Sequence, residues 1–290
     1  MTTAARPFGF RPWALAGAAV LLLALLVVPA LIVLSTRGGS KPAPAPVPSR
    51  LKVATQPTDV AVADGTVWVA SGRDNGVVSI DARDPRQQQR HATGAAPLRL
   101  AIGADSVWTA DAADDTVTRV NPLIPGSAGR RIRIGSDALD IAVGDGGTWV
   151  TNGQRGTVIR IDPVSNRRLG PPIRTGNFPT ALAIGANFVW VVNSGDGTVA
   201  RVDPREGLVI GRRTPVGRDP QDIAVGFGSV WVANRGDGTI SRLSASTGKR
   251  VGRPIRVGGE PGALAVTSDG LLVLDTAGGA VLELDPRTLR

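Results

Sequence analysis

Carboxylates recur along this chain at a regular spacing that could bring them together in one binding site. In six successive segments of about 41 residues, one equivalent position is held by Asp59, Arg99, Asp140, Ala181, Asp222 and Ala263. If this position faces a common centre, the carboxylates repel one another. They must then retain protons, be compensated by the arginine and by water, or bind a hard cation such as Ca²⁺.

The alternative is structural, with each aspartate accepting hydrogen bonds from the backbone of its own strand or turn. The sequence favours that interpretation without excluding a site. We therefore take Asp59, Arg99, Asp140 and Asp222 as the candidate ligand-binding residues, at the mouth of a channel. Ca²⁺ is the candidate ion, no other cofactor is expected, and no catalytic residue is assigned.

The elements that would position these residues come from an internal repeat. Five tryptophans are separated by 40, 41, 41 and 41 residues, namely Trp68, Trp108, Trp149, Trp190 and Trp231, and a further step of 41 reaches Leu272. A period in the low forties with short alternating strands is typical of a β-propeller, whose blades bury their faces against neighbours. We predict an all-β, six-bladed propeller of four-stranded blades over residues 50–290, with the first strand of each blade lining the channel.

The two ends of the repeat region predict how the ring closes. The last copy ends after its third strand, whereas the segment 51–55 precedes the first copy and has the character of an outer strand without a blade. We predict that this N-terminal strand completes the last blade, which would remove an open sheet edge.

The first fifty residues predict a membrane anchor. The segment from Trp13 to Leu34 contains no charged side chain, and it is long enough to cross a bilayer as a helix. We assign residues 1–12 to a short cytoplasmic tail, 13–35 to one transmembrane helix and 36–49 to a proline-rich linker. A cleaved signal peptide is the rival interpretation. The expected location is the cell membrane, with a single pass and the propeller outside the cytoplasm.

Composition excludes several classes of function. The chain has no cysteine and one histidine, His91, placed in an outer strand, so no thiolate site, histidine triad or His-rich metal site can form. The net charge of +9 is concentrated before the repeats, without the aromatic and basic pattern of nucleic-acid binding. We expect no nucleic-acid partner. The sequence does not predict an oligomeric state.

Other residues repeat once per blade, which favours structural roles. The tryptophans are expected to pack between blades, and Asn152, Asn193 and Asn234 to hold turns between the second and third strands. The third strands carry an arginine ladder, expected to pair with neighbouring carboxylates; its members are Arg119, Arg160, Arg201 and Arg242, with Ser79 and Glu283 at the equivalent positions.

The motifs Trp149-Val150-Thr151-Asn152 and Trp231-Val232-Ala233-Asn234 resemble the YVTN/NHL class of bacterial β-propellers. That class includes virginiamycin B lyase-like proteins and the sensor propellers of some membrane-bound kinases. The resemblance covers residues 50–290 and implies the fold. The lyase-like enzymes are understood to use histidine with a bound metal, and no histidine occurs here in the inner strands, so that activity is not expected.

Together these features predict a membrane-anchored, extracytoplasmic propeller that acts as a binding or scaffold module, similar to a sensor. Its expected partners are the cell membrane and a protein or cell-envelope ligand. We predict that it is not an enzyme. The alternative is a carboxylate- and metal-dependent hydrolase or lactonase on the same ring.

Overall fold

A computed structural model describes residues 51–289, which form six antiparallel sheets, one for each repeat. The predicted tail, transmembrane helix and most of the linker lie outside these residues. Among residues 51–289, no helix has the length and apolar character needed to cross a membrane.

Blades 1 to 3 have four strands each, numbered from the innermost outwards. Blade 1 comprises β1 (Pro57–Ala63), β2 (Thr66–Ser71), β3 (Gly76–Asp81) and β4 (Gln88–Ala92). Blade 2 comprises β5 (Pro97–Gly103), β6 (Ser106–Asp111), β7 (Thr116–Val120) and β8 (Arg130–Arg133). Blade 3 comprises β9 (Ala138–Gly144), β10 (Gly147–Asn152), β11 (Thr157–Ile161) and β12 (Ile173–Arg174).

Blades 4 to 6 differ at their outer edges. Blade 4 comprises β13 (Pro179–Gly185), β14 (Phe188–Asn193), β15 (Thr198–Asp203) and two short outer strands, β16 (Leu208–Val209) and β17 (Thr214–Pro215). Blade 5 comprises β18 (Pro220–Gly226), β19 (Ser229–Asn234), a 3₁₀ turn (Arg235–Asp237), β20 (Thr239–Ser244) and β21 (Ile255–Arg256). Blade 6 comprises β22 (Pro261–Val266), β23 (Leu271–Asp275) and β24 (Ala280–Leu284).

The core lies between neighbouring blades rather than inside any one of them. Buried apolar clusters join blade 1 to 2, 2 to 3, 3 to 4, 4 to 5 and 5 to 6. The repeated tryptophans lie within these clusters and are buried, as the sequence predicts. Each blade therefore depends on its neighbours for the burial of its faces.

The junction between blades 6 and 1 differs from the other five. No buried apolar cluster among residues 51–289 joins these two blades, and Val62 on β1 is 51% exposed. The sheet of blade 6 has three strands within the same residues. Residues 51–55 form no strand of this sheet, and the residues before them lie outside the described part of the chain, so closure by the N-terminal segment stays a prediction.

The segment 51–55 nevertheless follows the path of an outer strand as it leaves one blade for the next. Val53 packs on Val69, Val78 and Ile80 of blade 1. Thr55 donates two hydrogen bonds to Asp74, through its backbone N–H at 2.8 Å and its hydroxyl at 2.7 Å. By equivalence with the other blades, Leu51 and the residues before it are expected to pair with β24, but those earlier residues lie outside the described part of the chain.

Candidate functional site

The candidate position lies at an irregularity that recurs in all six innermost strands. In each blade, the pairing between the first and second strands shifts register close to this position. Such bulges redirect side chains and interrupt the regular ladder. Because the innermost strand has a neighbour on one side only, its other edge presents unpaired backbone groups to the channel.

Three aspartates satisfy these unpaired amides in pairs. Asp59 Oδ1 accepts the N–H of Val60 at 2.9 Å, and its Oδ2 accepts the N–H of Leu100 in blade 2 at 2.8 Å. Asp140 likewise accepts the N–H groups of Ile141 at 2.9 Å and of Leu182 in blade 4 at 2.7 Å. We call these three aspartates (Asp59, Asp140 and Asp222) the aspartate collar.

The third member completes the pattern. Asp222 accepts the N–H groups of Ile223 at 2.8 Å and of Leu264 in blade 6 at 2.7 Å. Three carboxylates therefore serve one amide in each of the six blades. One aspartate for every two blades is enough, because each carboxylate has two oxygens, and this explains why aspartates occupy alternate blades only.

This geometry confirms the structural role of the aspartates and extends it across blade boundaries. Each aspartate bonds its own strand, as expected, and also connects it to the next blade. Asp59 connects blades 1 and 2, Asp140 connects blades 3 and 4, and Asp222 connects blades 5 and 6. At the equivalent position, blades 4 and 6 carry alanine, Ala181 and Ala263, which adds no further charge to the channel.

Arg99 is the only residue at the level of the collar with a positive charge, and its ionic contact with Asp140 is long. Its Nε lies 4.0 Å from Asp140 Oδ1, and its side chain is 25% exposed. No hydrogen bond from this guanidinium forms within residues 51–289. A guanidinium offers five N–H donors, so Arg99 presents unused donors beside the channel.

Burial shifts the ionisation of the whole group. Burial raises the pKa of Asp59 to about 6 and that of Asp140 to about 7, although Arg99 opposes both shifts. Burial also raises the pKa of Asp222. For Arg99, burial lowers the pKa, but the nearby carboxylates of Asp140, Asp59 and Asp222 outweigh it and the net shift is upward. Asp140 is therefore suited to proton exchange near neutral pH.

The candidate cation site is not assembled by these contacts. Within residues 51–289, no three histidine, aspartate or glutamate side chains lie close enough together to hold a metal ion. The six carboxylate oxygens of the collar already accept six backbone N–H groups. A cation would have to share these oxygens with the N–H donors. Binding of Ca²⁺ in the channel stays a prediction.

The other repeated polar residues have the structural contacts expected, with one change. Asn193 donates to the carbonyl of Thr175 and to Thr198 Oγ1, and Asn234 donates to the hydroxyls of Thr239 and Ser241. The expectation that the arginine ladder pairs with carboxylates is wrong. These guanidiniums lie over aromatic rings and donate to carbonyl and hydroxyl oxygens.

The fold and the channel define a six-bladed β-propeller with a charged group at its centre. By overall structure it is similar to virginiamycin B lyase from Staphylococcus aureus, with a TM-score of 0.65 and 16% identity over 80% of this chain and 84% of that one. Hydrazine synthase from Kuenenia stuttgartiensis has a TM-score of 0.67 and 15% identity over 80% and 75%. A streptogramin B lyase has a TM-score of 0.52 and 12% identity over 79% and 93%.

These similarities support the predicted resemblance to lyase-like propellers at the level of the fold. Comparisons with protein-family models and with curated proteins gave no match. The structural matches overturn the prediction that the chain is not an enzyme, because the similar propellers are themselves a lyase, a synthase and a second lyase. A propeller of this shape gives no ground for excluding catalysis.

Proposed function

We propose that this protein is a membrane-anchored ring that binds a hydroxyl-rich ligand of the cell envelope at the mouth of its channel. Residues 13–35 would anchor it, and the proline-rich linker 36–49 would hold the propeller away from the bilayer on the extracytoplasmic side. The apolar run and the linker composition support this arrangement.

The observation that carries the proposal is the guanidinium of Arg99 beside the buried carboxyl of Asp140, since no hydrogen bond from it forms among the described residues. A hydroxyl group both accepts and donates hydrogen bonds, so it can accept from Arg99 and donate to Asp140. A polyanion would be repelled by the three carboxyls once they ionise, whereas a neutral polyol would not. Carbohydrate of the cell envelope is the ligand class that combines these properties with the proposed location.

The test is binding of neutral glycans of the cell envelope and of unrelated neutral oligosaccharides to the full-length protein in detergent. The parent should bind a subset of these probes, and Arg99→Gln should lose at least about tenfold in affinity. Arg253→Gln, which alters an exposed arginine outside the channel, should bind as the parent does. Binding that is absent in the parent, or unchanged in Arg99→Gln, would overturn the proposal.

The location is tested separately by thiol labelling, since the chain has no cysteine. Arg73→Cys lies in an exposed turn of blade 1 and should react with a membrane-impermeant maleimide on intact cells. Thr3→Cys, in the predicted cytoplasmic tail, should react only after lysis. The reverse pattern would place the ring inside the cell.

A second candidate is hydrolysis of the bound ligand, favoured by the pKa of Asp140 near 7. A carboxyl with this pKa exchanges protons at neutral pH, and Arg99 is placed to stabilise negative charge that develops on an oxygen. A hydrolase or lactonase of this kind should turn over lactones or glycosides, with and without added Ca²⁺. Its activity should fall by about two orders of magnitude in Asp140→Asn. Turnover that survives this substitution would exclude Asp140 as the base.

A further inference from the structure

The arginine ladder forms a repeated guanidinium-binding arrangement between blades. In blades 2 to 5 the arginine of the third strand lies over the tryptophan of the second strand. The distances from guanidinium carbon to ring centre are 5.4 Å for Arg119, 5.3 Å for Arg160, 5.9 Å for Arg201 and 4.9 Å for Arg242. These are cation–π distances.

Oxygen acceptors complete the arrangement. Arg119 Nε donates to Ser106 Oγ at 2.7 Å, and its Nη1 donates to the carbonyl of Pro163 in the next blade. Arg242 Nε repeats the first contact, with Ser229 Oγ at 2.8 Å. Arg119 therefore has a ring face, a hydroxyl and a carbonyl of the following blade around its guanidinium, whereas Arg160 donates to the carbonyl of Gly146 in its own blade.

Blade 1 keeps the surroundings and lacks the arginine. Ser79 occupies the ladder position opposite Trp68, and a cavity of about 610 Å³ opens between blades 1 and 2. Thr66 and Pro122 line this cavity, and in the repeat they correspond to Ser106 and Pro163, the two acceptors of Arg119. The cavity is within the usual size range of small-molecule sites, about 300–1,000 Å³.

The charge of the cavity is suited to a cation. Asp64, Asp81 and Asp105 line it, together with Trp68, and no lysine or arginine is among the lining residues that the structure describes. Asp81 also accepts the backbone N–H groups of Arg83 and Asp84. Asp64 and Asp105 occupy left-handed turn positions, with φ of 48° and 52°.

His91 contacts two residues that line this cavity, Trp68 and Ser79, without lining the cavity itself. It lies in the outer strand β4, as the sequence predicts, and it is buried, with its ring centre 5.2 Å from that of Trp68. Its Nε2 lies 3.2 Å from Ser79 Oγ. Burial lowers the pKa of His91, which favours the neutral imidazole. The histidine therefore adds no positive charge that would repel a cation.

We propose that the cavity between blades 1 and 2 binds a guanidinium group supplied by another molecule, either an arginine side chain in a peptide or a free guanidino compound. The bound group takes the place that Arg119 and its counterparts occupy in the other blades, over the Trp68 ring and beside Thr66 and Pro122. Guanidinium is favoured over ammonium because it is planar, stacks on aromatic faces and donates several directed hydrogen bonds. The site is separate from the channel and does not depend on the function proposed there.

The test is calorimetric titration of the full-length protein with acetyl-Gly-Arg-Gly-amide. The matched peptides carry lysine or citrulline, the latter being nearly isosteric with arginine and uncharged. The arginine peptide should bind with one site per chain, and both matched peptides about tenfold more weakly. Ethylguanidinium, which carries no second charge, distinguishes the sources: affinity equal to that of the arginine peptide indicates recognition of the guanidinium alone, and weaker binding indicates contacts with the peptide as well.

Variants connect the binding to the cavity. Ser79→Arg restores the ladder within the chain, so it should abolish peptide binding and raise the melting temperature by about 2–4 °C. Ser79→Ala should retain binding. The double variant Asp64→Asn with Asp105→Asn keeps residues that tolerate left-handed turns and should weaken binding about tenfold. Equal binding of the arginine and citrulline peptides, or unchanged binding in both Ser79→Arg and the double variant, would overturn the proposal.

Discussion

At the scale of residues, the aspartate collar resolves a conflict between hydrogen bonding and charge. An inner amide without an acceptor costs free energy, and so does a buried carboxylate. Each collar aspartate removes the first cost at two positions. The raised pKa of Asp140 and Asp59 reports the second cost, which the guanidinium of Arg99 partly offsets.

Removing one collar residue should loosen two blades together. Asp222→Ala leaves the N–H groups of Ile223 and Leu264 without their acceptor. We expect the free energy of unfolding to fall by about 1–3 kcal/mol. Asp84→Ala, which removes a surface ion pair with Arg86, should cost much less because that pair is solvated. Urea unfolding measures both, and equal values for the two variants would contradict the role of the collar.

The same residues predict a pH dependence of stability. The folded-state pKa of Asp140 lies above its ordinary value of 3.8, at about 7. The folded state therefore holds this proton more tightly than the unfolded chain does. The resulting stabilisation is complete below the ordinary pKa and is lost as the pH rises through about 7.

Asp140→Asn isolates this effect, because His91 acts in the opposite direction in both proteins. Between pH 5 and 8, the unfolding free energy of the parent should fall relative to that of the variant by on the order of 2 kcal/mol. A difference that stays constant with pH would show that Asp140 titrates normally.

The sequence predicts which residues face the channel, but not which backbone N–H groups their carboxylates accept. The 41-residue step identifies Asp59, Asp140 and Asp222, and their alternation is visible in the chain. That each oxygen serves a different blade depends on the rotation between neighbouring blades, which no local pattern encodes. The partners of the arginine ladder were missed for the same reason, since Pro163 reaches Arg119 from the following blade.

At the scale of elements, blade 6 is the blade that has no fourth strand among residues 51–289. Val281 on β24 is 56% exposed, whereas its equivalents Val117 and Val158 are completely buried under outer strands. Leu51 is 43% exposed. The sequence predicted the strands of the repeat well, because alternation and turn residues recur in each copy. The outer strands are harder to predict from the sequence. β12 and β17, for example, are short because nearby prolines limit strand pairing.

The repeat provides a test of closure by the N-terminal segment. His91 pairs with Val77 and Ile132 pairs with Val117, so Leu51 is expected opposite Val281. Leu51→Cys with Val281→Cys in the full chain should form a disulfide on mild oxidation, since opposed strand residues lie close enough.

Leu51→Cys with Val164→Cys is the matched control, because Val164 is exposed on blade 3. This pair should remain reduced. If neither pair forms a disulfide, residues 48–52 do not complete blade 6, and the edge of β24 stays open.

At the scale of the whole molecule, a ring of similar blades acquires an individual function only where the repeats differ. The structurally similar propellers include two lyases and a synthase, so the shared fold does not select one activity. Two departures from the repeat are informative here. One is Arg99 among the collar aspartates, and the other is Ser79 in the arginine ladder. They lead to the two proposed sites.

We expect the channel mouth to behave as one charge-coupled site, built by blades 1, 2, 3 and 5 together. This expectation is tested most directly by ¹³C NMR titration of the aspartate carboxyl carbons in the full-length protein, assigned with single Asp→Asn variants. Asp59 should titrate near pH 6 and Asp140 near pH 7. Arg99→Gln should raise both pKa values further, because the guanidinium holds them down. Ordinary titration near pH 4, or pKa values unchanged in Arg99→Gln, would contradict the claim.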